Sequence, residues 1–446
     1  MIKEVSIEKI NKIEAILKSK NIQEFEIFFV EKGMYETIFL KDKTENERDI
    51  RDFEYFIRIL TQKEDKTGIG VVKGNSLESS QIEKSIDACV RLSKINSGSK
   101  YIFPSKVNIS PVNTADKSII NDPLKVKKDL AEVLVAEVHQ QKDVVPTFLR
   151  FRIHNNHSFL RNSNDLKLDA RKTYFFMEFS LKAQEGGKLS EFWDCGYYKE
   201  KEHLNLNERV SSWAKRAKNT LKAVEPKPAE NAIVIFSPSV LREAINPVIG
   251  VHALGEAHAE HISRFNVDDI VASDNVTILD DGLLEGGMSS NSWDSEGNPH
   301  QLTEVIKDGV FKNRLYDQMY GMLEGKKSTG NARRAESGTV INGISNFKIL
   351  PGDISFDDMV SDIKEGYYID KFSWLNPDEV SGNFGAEIRN GYYIKNGEFL
   401  NPIKLGNVSG NVLEMVKNCV YISKEREFIE NSLFPYMAFN NLNVSS

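Results

Sequence analysis

Residues 24–40, EFEIFFVEKGMYETIFL, alternate apolar and polar side chains on both sides of Gly33. Period-two alternation is typical of a half-buried strand, and a glycine between two such runs is typical of a turn, so the stretch predicts a β-hairpin around Gly33. Apolar residues at helical spacing predict one helix before it and another over residues 77–94, with strands FEYFIRIL and GIGVVKGN between them. This helix–strands–helix order predicts an α+β unit with an antiparallel sheet.

A second section of helix, three strands and helix follows, and it ends near residue 224. The polar, proline-containing stretch EPKPAEN, residues 225–231, is the best candidate for an interdomain linker. After it, strands separated by glycine- and asparagine-rich turns predict a sandwich or barrel. We therefore predict an α+β protein. Its N-terminal α/β domain, with an antiparallel sheet and long helices, precedes a β-rich, sandwich- or barrel-like domain. The predicted divisions are 1–224, with subdomains 1–105 and 115–224, the linker, and 232–446.

Composition excludes several classes of function. The net charge is −7, with 40% hydrophobic and 28% charged residues, so the chain lacks the basic footprint of a nucleic-acid-binding protein. No apolar run approaches the roughly 20 residues that a membrane span needs. The first residues form an amphipathic helix rather than a signal peptide. Three widely separated cysteines favour a reducing compartment. We expect a cytoplasmic protein that binds neither nucleic acid nor membrane.

The stretch HALGEAHAEH, from His252 to His261, holds three of the eight histidines. Such density suggests a metal site, but no histidine is followed by glutamate as the H-E-x-x-H signature requires. At about 100° per residue on one helix, His252, Glu256 and Glu260 share a face, and His258 and His261 lie roughly opposite. Two alternatives remain: a hydrogen-bonded His–Glu face, or a metal site completed by residues from elsewhere.

The downstream segments resemble the TldD/PmbA family, also known as modulators of DNA gyrase. The resemblance covers nearly the whole chain and is most specific over residues 272–415. The motifs that carry it are Asp280-Asp281-Gly282, Asp294-x-Glu296-Gly297, Asp308-Gly309 and Thr329-Gly330-Asn331-Ala332-Arg333-Arg334.

This resemblance implies that two related chains pair around an enclosed cavity. A TldD-type chain carries H-E-x-x-x-H on a helix and a later cysteine in a C-G-K segment. It binds zinc and cuts unfolded peptides. A PmbA- or TldE-type chain lacks the zinc ligands.

The sequence departs from the TldD pattern at the decisive positions. Gly255-Glu256-Ala257 falls on the G-E-A of PmbA-type chains, and Gly255 and Glu260 would occupy the histidine positions of TldD-type chains. Cys419 lies in no C-G-K segment. The resemblance therefore implies a non-catalytic PmbA/TldE-type subunit without its own cofactor, with zinc in a TldD-type partner.

Two alternatives to a heterodimer stay open. The first is a self-sufficient metallopeptidase, with a zinc site built from His252, His258 and His261 and with Glu256 as the catalytic carboxylate. The second is a peptide-binding homodimer without catalysis. In each case the expected substrate is an extended peptide, and an inactive chain would hold it by backbone hydrogen bonds at a sheet edge.

The predicted cavity lining combines glycine-flanked positions, where a peptide backbone can approach closely, with two arginines that can hold a carboxylate. For the arginines, a turn with buried salt bridges is the alternative. The lining residues are Gly330, Asn331, Arg333, Arg334, Gly382, Asn383 and Gly385.

Overall fold

The first half of the chain forms a seven-stranded sheet with helices on one side. The computed structural model describes residues 2–41 and 43–446. All strand pairs of the sheet are antiparallel, and the strand order is β4-β3-β2-β1-β5-β6-β7. The elements are α1 (Ile2–Ser19), β1 (Phe25–Leu40), β2 (Lys43–Gln62), β3 (Lys66–Gly74), α2 (Ser79–Ile95), β4 (Gly98–Ser99), α3 (Lys117–Asn121), α4 (Pro123–Gln140), β5 (Val144–Asn162), β6 (Lys167–Glu185), β7 (Lys188–Tyr198) and α5 (Leu206–Lys222).

The predicted hairpin at Gly33 is wrong, because β1 runs straight through this residue. Gly33 pairs with Arg51 of β2 on one side and with Asn155 of β5 on the other. A Cβ at this position would lie 3.1 Å from the Asn155 carbonyl oxygen and 3.4 Å from the Tyr35 ring. The glycine therefore permits close packing within a central strand. Because β1 pairs with β5, the two predicted subdomains share one sheet.

The two faces of this sheet have different roles. Helices α1 and α2 pack on the first strands, and α4 and α5 pack on β5 to β7. Since side chains alternate along a strand, every second residue points away from these helices. That second face meets the rest of the chain: Phe28 contacts Trp293 with ring centroids 6.4 Å apart.

The second half is built around a ten-stranded mixed sheet. Five strands, β8, β15, β16, β17 and β19, pair in a closed ring, and α6 packs against it. The predicted α+β fold class is confirmed. The elements are β8 (Ala229–Phe236), α6 (Pro238–Ala253), α7 (Gly255–Ala259), β9 (Ile278–Asp281), β10 (Leu302–Lys307), β11 (Val310–Phe311), α8 (Gln318–Leu323), β12 (Ala332–Arg334), β13 (Val340–Asn342), β14 (Phe347–Ile349), α9 (Phe356–Ser361), β15 (Glu365–Phe372), β16 (Asn383–Lys395), β17 (Glu398–Asn411), α10 (Val412–Lys417), β18 (Cys419–Ile429) and β19 (Ser432–Ser445).

The sheets divide near the predicted linker. The last strand of the first sheet ends at Tyr198 and the first strand of the second begins at Ala229, so part of the 225–231 stretch is already strand. The domain boundary itself stays a prediction. Within the described ranges, no helix is both long and apolar enough to cross a bilayer.

Candidate functional site

A groove lies between the helix-free face of the first sheet and the loops of the second half. It consists of two adjoining cavities, of about 270 and 640 Å³, which share Lys172, Ser289, Arg333 and Ile344. Side chains of β5, β6 and β7 form one wall. The residues of this wall are Asn156, Ser158, Ala170, Lys172, Tyr174 and Tyr197. The opposite wall includes the predicted residues Gly330, Asn331, Arg333 and Arg334.

Asn331 is a buried residue of the groove wall, and its side chain forms hydrogen bonds that hold this wall together. Its side-chain amide donates to Asp280 Oδ2 at 2.7 Å and to the Gly343 carbonyl oxygen at 3.1 Å. The Ser345 hydroxyl donates to the same Asp280 oxygen at 2.7 Å, and burial raises the pKa of Asp280 to about 6. Because Asn331 is only 2% exposed, it holds the wall together rather than offering a free contact.

The D-S-E-G turn shapes the neighbouring wall. Asp294 accepts hydrogen bonds from the backbone N–H groups of Glu296, Asn298 and Ala332. Burial and then the nearby charge of Glu296 raise the pKa of Asp294 well above its ordinary value. With its oxygens engaged in this way, Asp294 fixes the turn against β12.

The two neighbouring arginines have different environments. Arg334 is buried against the first sheet, where its guanidinium donates to Glu26 Oε1 at 2.6 Å and stacks 4.7 Å from the centre of the Phe28 ring. Arg333 is exposed in the groove, with its side-chain stem over Gly343. The predicted carboxylate site is thus occupied at Arg334 by a carboxylate of the chain itself, and only Arg333 faces the groove.

We expect Asn331 and Arg333 to respond differently to replacement by alanine. Asn331→Ala should lower the free energy of unfolding by about 1–3 kcal/mol, because the buried Asp280 Oδ2 loses one of its two side-chain donors. Arg333→Ala should change the free energy of unfolding by less than about 0.5 kcal/mol, because the side chain is exposed. Urea denaturation of both variants measures the difference. Equal stabilities would show that Asn331 has no supporting role.

The remaining predicted lining residues lie elsewhere. Asn383 and Gly385 are at the start of β16, opposite β17, and Gly382 immediately precedes this strand, so none of the three lines the groove. Gly382 has φ +81°, and a Cβ there would lie 3.0 Å from Asn411 Oδ1, so the turn itself requires glycine. The structure therefore divides the seven predicted lining residues between two places.

The histidine stretch is not one helix. Helix α6 ends at Ala253, Leu254 is extended, and α7 covers only Gly255–Ala259. Leu254 forms a strand-like bridge with Leu315, whose carbonyl oxygen accepts from the Gly255 N–H at 2.9 Å. This contact replaces the helical hydrogen bonds, so the face assignment derived from 100° per residue does not hold.

The buried His252 uses both ring nitrogens in hydrogen bonds within the chain. Its Nδ1 accepts from the Arg264 N–H at 3.2 Å, so Nε2 carries the proton and donates to the Val380 carbonyl oxygen at 3.1 Å. Burial lowers the pKa of this imidazole. A neutral histidine in this state has no free lone pair for a metal ion.

The other candidate residues of this site, His258, His261 and Glu256, have separate surroundings. His258 Nδ1 lies 2.7 Å from Glu324 Oε1 at the surface, and His261 follows α7 with a left-handed backbone, φ +59°. Glu256 accepts from the Tyr320 hydroxyl at 3.1 Å and lines a separate cavity of about 440 Å³. Burial is the main cause that raises the pKa of Glu256. In residues 2–41 and 43–446, no three His, Cys, Asp or Glu side chains are grouped to hold a metal ion.

Cys419, which lies in no C-G-K segment, is buried. Burial raises the pKa of its thiol to about 12, so the thiolate that binds zinc is strongly disfavoured. The residues of the predicted substitute site therefore do not fit a catalytic zinc, which normally needs three ligands around one point.

Sequence reasoning missed Lys172 and His300, which also line the groove. Lys172 is a half-buried residue of β6 that donates to the Met288 carbonyl oxygen. The only signal for it was period two: Lys172 alternates with the core residues of β6. That pattern does not tell which half of the chain covers the opposite face.

Comparisons with known proteins agree with the resemblance to the TldD/PmbA family that the sequence motifs indicate. Residues 229–446 match the family model described as the PmbA/TldA metallopeptidase C-terminal domain. Residues 229–446 therefore match this family's C-terminal domain, and the predicted resemblance to the TldD/PmbA family is confirmed.

Individual relatives match over most of their length. The chain is 26% identical over 436 residues to a metalloprotease of Methanocaldococcus jannaschii, covering 94% of this chain and 93% of the relative. It is 23% identical over 373 residues to the metalloprotease PmbA of Escherichia coli O157:H7, covering 81% and 80%. The crystal structure of TldE from Thermococcus kodakarensis superposes with a TM-score of 0.85, covering 98% of this chain and 100% of TldE at 20% identity. At that identity the likeness concerns the fold.

Proposed function

We propose that this chain is a PmbA/TldE-type subunit that binds extended, unfolded peptides in the groove and relies on a TldD-type partner for zinc-dependent cleavage. The observation that carries the proposal is the state of His252, whose ring nitrogens are both engaged by the backbone. The break at Leu254 supports it as well, because it separates His252 from Glu256 and His258.

The groove supports the peptide-binding part of the proposal. The two adjoining cavities of the groove run along the sheet face, and together they are longer than a pocket for a single side chain. Its walls combine aromatic surface from Tyr174 and Tyr197 with polar groups from Asn156, Ser158 and Ser289. Such a mixture suits a peptide whose backbone and side chains both need partners.

The test measures metal content and cleavage in three samples: this chain, a TldD-type relative with an intact H-E-x-x-x-H motif, and their mixture. We expect this chain, dialysed alone, to hold well under one zinc per protomer and to leave an unfolded peptide uncut. The mixture should contain zinc and should cleave the peptide faster than the relative alone, and light scattering should show a complex of both chains.

His258→Ala and Glu256→Gln are the matched variants, because both side chains lie outside the buried core. Under the proposal neither changes the metal content of this chain. One tightly bound zinc that disappears in either variant would instead identify a self-sufficient metallopeptidase. A homodimer that binds peptide and gains nothing from the relative would favour the non-catalytic binding protein.

A further inference from the structure

Four basic side chains gather where the two cavities of the groove meet. Lys172, His300 and Arg333 line the smaller cavity. Lys199 lies beneath, where its ammonium group donates to the Thr114 and Thr173 carbonyl oxygens. The cluster spans both halves of the chain, since the lysines belong to the first half and His300 and Arg333 to the second.

These basic groups have no paired carboxylate. In the part of the chain that the structure describes, none of the four forms a salt bridge, whereas Arg334 pairs with Glu26 and Arg242 in the same groove pairs with Glu430. The nearby carboxyl of Asp294 is already engaged by three backbone N–H groups. Burial and then the charge of Lys172 lower the pKa of His300 to about 4, so the uncompensated positive charges are those of the two lysines and Arg333. Positive charges that are partly buried without a counter-charge cost free energy.

The pKa values of the two lysines lie below the ordinary range for lysine. Burial and then the charge of Arg333 lower the pKa of Lys172 to about 8. Burial and then the charge of Lys172 lower the pKa of Lys199 to about 7, despite the opposing influence of Glu200 and Asp116. An anion between Lys172 and Arg333 would relieve this repulsion and restore the charged state.

Local contacts hold the side chains of Arg333 and Lys172 in place. A Cβ at Gly343 would lie 2.6 Å from Arg333 Cδ, so this glycine leaves the space that the arginine stem fills. Lys172 is tied to the Met288 carbonyl oxygen, which uses one of its three N–H donors and leaves the others for a ligand. Arg333 offers a planar guanidinium that can bind a carboxylate through two parallel hydrogen bonds.

We infer that Lys172 and Arg333 form a carboxylate subsite in the groove, which selects peptides carrying a negative charge at that point. The inference rests on the proposed function, because it names the class of peptide that the groove prefers. Two sources supply a carboxylate: the C-terminus of the peptide and an acidic side chain. The experiment below separates them.

The experiment measures fluorescence anisotropy of labelled, unstructured peptides with the full chain. One pair differs only in a free or amidated C-terminus, and a second, amidated pair differs only in one internal Glu or Gln. We expect one carboxylate-containing peptide to bind about tenfold or more tightly than its neutral match. The pair that shows the difference identifies the source of the carboxylate.

Charge-removing variants of similar length locate the subsite. Lys172→Met and Arg333→Met should each reduce the preference for the carboxylate-containing peptide over its neutral match to about twofold or less. Lys307→Met is the control for net charge, since Lys307 is exposed and lies outside the groove, where it pairs with Glu304. Equal binding of charged and neutral peptides by the unmodified chain, or an unchanged preference in both groove variants, would overturn the inference.

A small ligand keeps the subsite testable if no peptide binds. N-acetylglycine carries the carboxylate of a peptide terminus, and N-acetylglycinamide is its neutral match. At constant ionic strength only N-acetylglycine should raise the melting temperature, and Arg333→Met should remove the rise. A rise in melting temperature without peptide binding would support the subsite but contradict the peptide-binding proposal. Absence of both would reject the subsite too.

Discussion

Replacing Arg58 by methionine is expected to lower the free energy of unfolding by about 3–5 kcal/mol, the usual cost of removing one partner from a buried ion pair. The guanidinium lies 3.4 Å from Glu26 Oε2 and 3.1 Å from Glu296 Oε1. The side chains of Arg58, Glu26 and Glu296 are each at most 3% exposed. Without the arginine, both carboxylates lose their shared counter-charge in a site where their side chains are at most 1% exposed. Urea denaturation followed by circular dichroism measures the loss.

Arg51→Met is the matched control on the same strand, β2. Arg51 is exposed, so its replacement should change the free energy of unfolding by less than about 0.5 kcal/mol. If the Arg58→Met variant does not fold, Glu296→Gln replaces it as a milder variant that keeps the shape of the site. Similar stabilities of the Arg58 and Arg51 variants would mean that the buried charges contribute nothing net to the fold.

The same charges position the groove. Glu26 and Arg58 belong to the first sheet, and Glu296 and Arg334 belong to the second half. The Tyr101 hydroxyl donates to Glu296 Oε1 at 2.7 Å, and Arg334 donates to Glu26 Oε1 at 2.6 Å. A continuous network therefore ties the groove walls together. For Arg334, the contacts support a buried salt bridge within the chain rather than binding of a peptide carboxylate.

The sequence predicted the fold class but not the path of the chain at two places. Alternation located β1, yet it could not distinguish a turn at Gly33 from close packing beside Tyr35. Helical spacing located α6, yet it could not indicate that Leu254 pairs with Leu315, a residue distant in sequence. In both cases a tertiary contact decides between two local structures that the pattern allows equally.

The candidate site was predictable only where its constraints are local. The Thr329–Arg334 turn has its own glycine and hydrogen bonds, so its motif identifies it without knowledge of the fold. Lys172 has no such local signature. It becomes a groove residue because β6 turns one face toward β12, and that arrangement depends on how the halves dock. The same dependence explains why Gly382 and Asn383, which belong to a similar glycine-rich motif, lie elsewhere.

Close packing also explains the glycines of GIGVVKG, residues 68–74, which have neither the spacing nor the strand-turn-helix setting of a dinucleotide-binding loop. They lie in β3, directly beneath α2. A Cβ at Gly68 would lie 1.8 Å from the Ser93 carbonyl oxygen, and one at Gly70 would lie 2.0 Å from the Cys89 carbonyl oxygen. Both obstacles are helix backbone, which cannot move aside as a flexible side chain can. The glycines therefore set the distance between the strand and the helix.

Gly70→Ala is consequently expected to lower the free energy of unfolding by about 3 kcal/mol or more, above the common range for overpacking. To accept even one methyl group, α2 must move away from β3, and this movement opens the core that contains Ile57, Ile86 and Cys89. Gly98→Ala is the control, because a Cβ there would lie 3.7 Å from its nearest neighbour, the Thr67 carbonyl oxygen. It should change the free energy of unfolding by less than about 0.5 kcal/mol. If Gly70→Ala unfolds at the same urea concentration as Gly98→Ala, the strand and helix are not held at the distance that these glycines allow.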